Sequence, residues 1–280
     1  MVVAPLTLTC LALATLFVAV LPIVLYRRLR RPLALNGRDA IAGIAVFALF
    51  AMVIERALNG YVLHQNETTA AWLSNPVVFV IYGALAAGVC EEVGRFIAMR
   101  LMWRRATAAT TPISTSTLPS NGDGTALGYG IGHGGAEAWI VGVLVQIQWL
   151  VFAVIENRGQ LDTYLGNVPV DSLMRIHLIL ASLSPQMAGI FLLERVAALV
   201  FQIGLSVLMW RGVRAGWRGI LPLAIVAHAL IDVPAALFQA GLLSLYVVDS
   251  MYGVLALIVA GVLIKLFRRP ALTAHTTPTA

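Results

Sequence analysis

Charge is scarce in this chain. Of its 280 residues, 11% are Asp, Glu, Lys or Arg and 60% are hydrophobic, with a mean hydropathy of +0.88. Soluble domains carry about 25% charged residues, so a water-soluble fold is excluded and an integral membrane protein is expected. Cysteine is nearly absent. Cys10 and Cys90 both fall in apolar stretches and make neither a disulfide framework nor a metal cluster by spacing. Cys90 adjoins Glu91, yet a small apolar residue on a buried helix is the reading that position favours over a reactive thiolate. There is no HExxH helix, no Gly-x-Ser-x-Gly elbow and no P-loop, which removes the zincin, α/β-hydrolase and P-loop nucleotidase signatures. The net charge of +6 does not imply nucleic acid, because the arginines gather at the ends of apolar stretches, where they set topology.

What is present is a series of long apolar runs. A span needs about 20 such residues, and seven stretches qualify: 2–26, 39–58, 76–103, 126–155, 185–210, 219–238 and 244–267. The chain is thus expected to be all-α, a polytopic bundle forming one membrane domain over 1–270. The first stretch has no basic residue before it and is too long for the core of a signal peptide, so it reads as a retained span. The Thr/Ser/Pro/Gly-rich run 106–125 reads as a flexible loop, 271–280 as a disordered tail, and 171–184 as a short surface or re-entrant helix. Ser184 and Pro185 fit the cap and first residue of the span that follows.

Basic residues set the expected orientation. Arg27, Arg28, Arg30, Arg31 and Arg38 follow the first span, and Arg100, Arg104 and Arg105 close the third. Arg211, Arg214 and Arg218 follow the fifth, while Lys265, Arg268 and Arg269 end the seventh. Those are 14 of the 19 basic residues, all on one face if seven spans alternate. The positive-inside rule then puts the N-terminus outside and the C-terminus in the cytoplasm, in a bacterial plasma membrane.

Ionisable residues inside the spans are the functional signal, since they are costly at membrane depth and face a bundle interior or a wet cavity. Glu91, Glu92 and Arg95 interrupt the third span. His133 and Glu137 interrupt the fourth, within a glycine-rich run from Gly128, and His228 and Asp232 interrupt the sixth. His133/Glu137 and His228/Asp232 each share a helix face at i,i+4. Glu91 and Arg95 do the same and suit an ion pair, while Glu92 projects about 100° away. A buried Glu–Arg pair that merely fixes packing is the competing reading. At the helical rise, Glu91, His133 and His228 lie about 20, 10 and 15 Å from the basic face, which predicts one shared pocket in the cytoplasmic half. Glu194 and Arg195 lie deeper in the fifth span and read as a structural charge pair, with Gln202 on the same face as Glu194. His64, His177 and His275 read as surface residues.

The motifs Glu91-Glu92-Val-Gly-Arg95, Gly132-His-Gly-Gly-Ala-Glu137, Glu194-Arg195-Val-Ala-Ala and His228-Ala-Leu-Ile-Asp232 resemble the YhfC family of intramembrane proteases. More distantly they resemble the CAAX-prenyl and bacteriocin-processing proteases, with their Glu-Glu-x-x-x-Arg, Phe-x-x-x-His and His-x-x-x-Asn helices. By that resemblance Glu91 is the general base that activates water, supported by Glu92 or Arg95. His228 and Asp232 bind the water, the oxyanion or a metal, and His133 and Glu137 join the pocket. Two departures stand out. Arg95 comes one position earlier than in the CAAX-type spacing, and Gln202 stands where the resemblance implies a His. Gln is no general base and a poor zinc ligand, so either His133 takes that role or this member is altered.

Three functions follow as alternatives. The first is an endopeptidase with a cytoplasm-facing cleft that cuts a membrane-embedded or lipidated peptide in the bilayer. It works either through glutamate alone or through one divalent ion such as zinc held by His133, His228, Glu137 and Asp232. The second is a proton- or ion-coupled transporter, which requires a path to both faces. The third is a non-catalytic scaffold. Oligomeric state is open.

Overall fold

The computed structural model describes residues 2–108 and 122–267. The tail 271–280, His275 and most of the loop 106–125 lie outside them. Seven helices are long and apolar enough to cross a membrane: α1 (Pro5–Arg30), α2 (Gly37–Gln65), α3 (Pro76–Ala108), α4 (Gly124–Asn157), α5 (Pro185–Arg214), α6 (Ile220–Gln239) and α7 (Leu245–Phe267). There is no strand among the described residues.

Local chemistry sets the helix ends. Pro5 and Pro185 occupy first helical positions, where a missing N–H costs nothing. The Ser184 side chain accepts from the Met187 amide at 3.2 Å, and Asn75 accepts from the Val77 amide at 2.9 Å. The short helix expected at 171–184 runs Val170–Ser182. The largest difference from expectation is α2, which continues seven residues beyond 58 to Gln65. Arg56, Asn59 and Gly60 end the apolar run but not the backbone ladder, which passes through π-helical turns at Phe50–Glu55 and Tyr61–Gln65.

Lipid is as apolar as Leu, so close packing and polar contacts, rather than escape from water, hold such helices together. The α4 glycines supply that closeness. A Cβ on Gly132 would fall on the Ala40 backbone of α2. On the opposite side, one on Gly130 would meet the Ile203 Cα of α5 at 2.9 Å, and one on Gly134 would meet the Gln202 Cβ at 2.9 Å. Wedged between two neighbours, α4 is the bundle's central strut. A second close approach joins α3 to α6, where a Gly88 Cβ would lie 3.1 Å from the Ile225 carbonyl oxygen.

The two ends of the bundle differ. Met99, Tyr129, Met209, Trp210, Ile220 and Ala224 form the main apolar cluster, with Tyr26, Trp103 and Phe267 against it. These residues come from the basic ends of α1, α3, α5 and α7, the last bearing Lys265, and from the adjoining ends of α4 and α6, so those ends share one face, closed by packed side chains.

Gly132→Val should therefore cost about 1–3 kcal/mol through overpacking and lower the thermal midpoint of the purified protein. Gly261→Ala, with nothing within 4 Å of the added Cβ, should leave it unchanged.

Candidate active site

Consecutive residues on a helix diverge by about 100°, and this splits the two glutamates of α3. Glu91 faces a cavity, whereas Glu92 points inward with no exposure. Arg95, also wholly buried, lies between them, with Nη2 at 3.4 Å from Glu92 Oε1 and 3.9 Å from Glu91 Oε2. Its Nη1 donates to the Gln202 carbonyl at 3.1 Å and to Ser206 Oγ at 3.2 Å, and its Nη2 donates to Gln202 Oε1. One guanidinium thus ties α3 to α5.

Each histidine meets a different glutamate. His133 Nε2 lies 2.9 Å from Glu91 Oε2, and since a carboxylate only accepts, the ring donates. The ring stacks on Tyr129 at 5.9 Å and meets the Phe47 edge at 5.3 Å, which fixes its plane. His228 Nδ1 lies 2.8 Å from Glu92 Oε1, and its Nε2 faces Asp232 Oδ2 at 3.5 Å. Glu92 therefore acts from behind, directing His228 Nε2 toward the cavity that His228 and Asp232 line.

Gln202 closes the network. Its Nε2 donates to Glu91 Oε2 at 3.0 Å and to Glu137 Oε2 at 2.9 Å, while its Oε1 accepts from Arg95. Two donors and an acceptor on one planar group are what an amide offers and an imidazole does not. The residue that stands where the resemblance implied a His is a clamp that uses both of its N–H groups and its oxygen. Glu91 Oε2 thus receives His133 and Gln202, while its Oε1 accepts no hydrogen bond among the described residues.

The structure brings together Glu91, Glu92, Arg95, His133, Glu137, Gln202, His228 and Asp232. Arg195, expected to pair with Glu194, instead places Nη1 3.6 Å from Glu137 Oε1; adjacent side chains project apart, and Glu194 faces the cavity. His64 is exposed, and His177 lies apart from the site, 2.7 Å from Asp162 and 3.4 Å from Glu156.

The cavity measures about 550 Å³ and runs from Glu91, Gln202 and His228 to Leu63, Phe79, Gln239 and Leu245. Those last four lie at helix ends opposite the arginine clusters. The cleft expected on the basic side is therefore replaced there by the packed cluster around Trp210. Depth along a helix gives distance from a face but not the direction in which the bundle is hollow. Residues not singled out from the sequence also line the cavity: Glu55, Asn59, Tyr82 and Tyr252. The Tyr82 hydroxyl donates to Asn59 Oδ1 at 2.6 Å, and Asn59 Nδ2 donates to Glu55 at 3.3 Å. Glu55 and Asn59 stand at i,i+4 like the other pairs, a signal hidden because the apolar run was ended between them.

The divalent ion implied by the resemblance is tested by the donor atoms. Glu91, Glu137, His228 and Asp232 face one cavity and are suitable in type. Among the described residues, however, no three His, Cys, Asp or Glu groups converge on a metal position. His133 Nε2 is committed to Glu91, and its Nδ1 is buried without a partner. The expected set of His133, His228, Glu137 and Asp232 does not fit an ion in this arrangement.

Comparison with known proteins bears on the whole network. A family model described as "YhfC intramembrane metalloprotease" matches residues 17–253, a range that includes every residue of the site. The chain is 33% identical over 237 residues to the "Uncharacterized membrane protein YhfC" of Bacillus subtilis (strain 168), covering 83% of this chain and 85% of that protein. No solved structure matches. With seven membrane-spanning helices and a sequence match over most of its length, this multi-pass membrane protein belongs to the YhfC intramembrane metalloprotease family.

Proposed function

We propose that the chain is an intramembrane endopeptidase that hydrolyses a peptide bond of a membrane-embedded or lipidated substrate, with Glu91 as the base. One observation carries this reading: Glu91 Oε2 is held by His133 and Gln202 beside Arg95, while the residue borders the cavity. A fixed carboxylate with one oxygen spare can take a proton from water as the hydroxyl oxygen bonds to the carbonyl carbon. The oxyanion needs donors fixed in place beforehand. His228 fills that role as an imidazolium: its Nδ1–H is donated to Glu92, and its second N–H, at Nε2, lies beside Asp232 and faces the cavity. As the C–N bond breaks, Glu91 returns its proton to the leaving amine, leaving a carboxylic acid and a free amine. His133 and Gln202 act as positioning residues through Glu91.

The family's description implies a metal such as zinc. Because the donors do not converge on an ion, each step here is assigned to the chain's own side chains. The transporter alternative requires a path to both faces, and the apolar cluster around Trp210 weighs against it. The clamp formed by Gln202 argues against reading that residue as a lesion. With the arginine-rich face taken as cytoplasmic, the cavity opens to the exterior and substrate enters from the outer half of the bilayer.

Three tests follow. Glu91→Gln should reduce cleavage of a membrane-protein substrate by about 10²–10⁴-fold while the protein still elutes as a monodisperse species; retained activity would remove Glu91 from the role of base. Elemental analysis of protein purified without chelator should find no stoichiometric divalent ion. About one equivalent, lost in both His133→Ala and His228→Ala, would show that these side chains rearrange around a metal. In a background lacking Cys10 and Cys90, Gln239→Cys should react with an impermeant maleimide on intact cells, and Trp217→Cys only after lysis. The reverse pattern would invert the orientation.

A further inference from the structure

A second hollow, of about 540 Å³, lies between α1, α2 and α4, outside the polar network. Its floor is the Gly132, Gly135 and Ala136 face of α4. Beside it α1 packs closely on α4, where a Cβ on Gly135 would lie 3.1 Å from the Pro22 Cβ. Ile23 and Ile44 wall it with exposed apolar side chains. From Ile131 to Ile140 the trough follows α4 for about 14 Å of helical rise, ending at Trp139, whose Nε1 is committed to the Ala19 carbonyl at 3.1 Å.

The polar groups of this trough are confined to one end. Arg27 and Arg30 line it where α1 reaches the basic face. Both are exposed, and neither has an ion-pair partner among the described residues. The Tyr26 hydroxyl at the same end is buried without a hydrogen-bond partner. An apolar slot with two exposed cations at its interfacial end matches one molecule in shape and charge: a phospholipid with an anionic headgroup. Basic pockets between transmembrane helices at that depth hold such headgroups, each cation adding to the attraction. The acyl chain would lie along Ile23, Ile44 and Ile140, which line the trough.

We propose that this trough is a specific binding site for an anionic glycerophospholipid, with Arg27 and Arg30 on the phosphate and one acyl chain along α4. The site is independent of the proposed hydrolysis and needs no substrate to test. The full chain in detergent is titrated with dioleoylphosphatidylglycerol or dioleoylphosphatidylcholine, and bound lipid is counted by native mass spectrometry. Phosphatidylglycerol should bind about tenfold or more tightly than phosphatidylcholine. R27Q/R30Q should remove that difference, R104Q/R105Q should keep it, and Ile44→Trp, which fills the trough, should weaken both lipids. Equal binding by wild type, or a preference that survives R27Q/R30Q, overturns the proposal. So does a dimer that Ile44→Trp dissociates while neither lipid is retained, which would make the trough an interface between copies.

Discussion

Arg95 carries its charge at membrane depth with no exposure to solvent, a placement that calls for opposite charge and acceptors close by; both Nη atoms have them, while Nε is buried without a hydrogen-bond partner. These partners come from two glutamates on its own helix and from the side chain and carbonyl of Gln202 on α5. Removing one partner of such a buried pair costs about 3–5 kcal/mol, because the remaining charge is stranded. The rest of the site follows from this arrangement. With Glu91 and Glu92 on either side of one cation, they face different ways, and each histidine meets its own carboxylate. Gln202, held by Arg95 through its oxygen, has its two N–H donors turned to Glu91 and Glu137.

Backbone closeness makes this polar arrangement possible. His133 reaches Glu91 only because α4 lies almost against both neighbours, and it does so through glycines whose positions any larger residue would fill with backbone contacts. The same small residues also bring α1 and α2 close to α4 along the edge of the outer trough. The π-helical turn Ala138–Leu144 begins directly after Glu137, where the local widening re-aims the next turn of the helix.

Much of this was legible in the chain. The seven spans, the polar residues within them and the capped start at Ser184–Pro185 follow from hydropathy, spacing and cap chemistry, all of which act locally. Partner choice was not legible. Arg195 adjoins Glu194 in sequence but meets Glu137, because the helix turns neighbours apart and only the packing of α4 on α5 decides what lies opposite. Glu55 and Asn59 were hidden in a helix whose hydropathy fades before its hydrogen bonding does. The direction of the cleft was misread for a related reason: arginines at helix ends report which face is which, and nothing in their positions reports where large side chains fill the interior. Met99, Tyr129 and Trp210 do so on the basic side.

That filled side has an electrical consequence. A chamber lined by Glu55, Glu91, Glu137, Glu194 and Asp232 would short-circuit the membrane if it opened at both ends. A chamber filled with water would leave the packed aromatic and apolar layer beyond it as the insulator, with most of the transmembrane voltage across that layer. Moving one full charge through 100 mV is worth about 2.3 kcal/mol, but a proton passing between the mouth of the chamber and Glu91 would then cross only a small part of the field. The polar centre, although midway through a hydrophobic bundle, would be electrically part of the compartment it opens to.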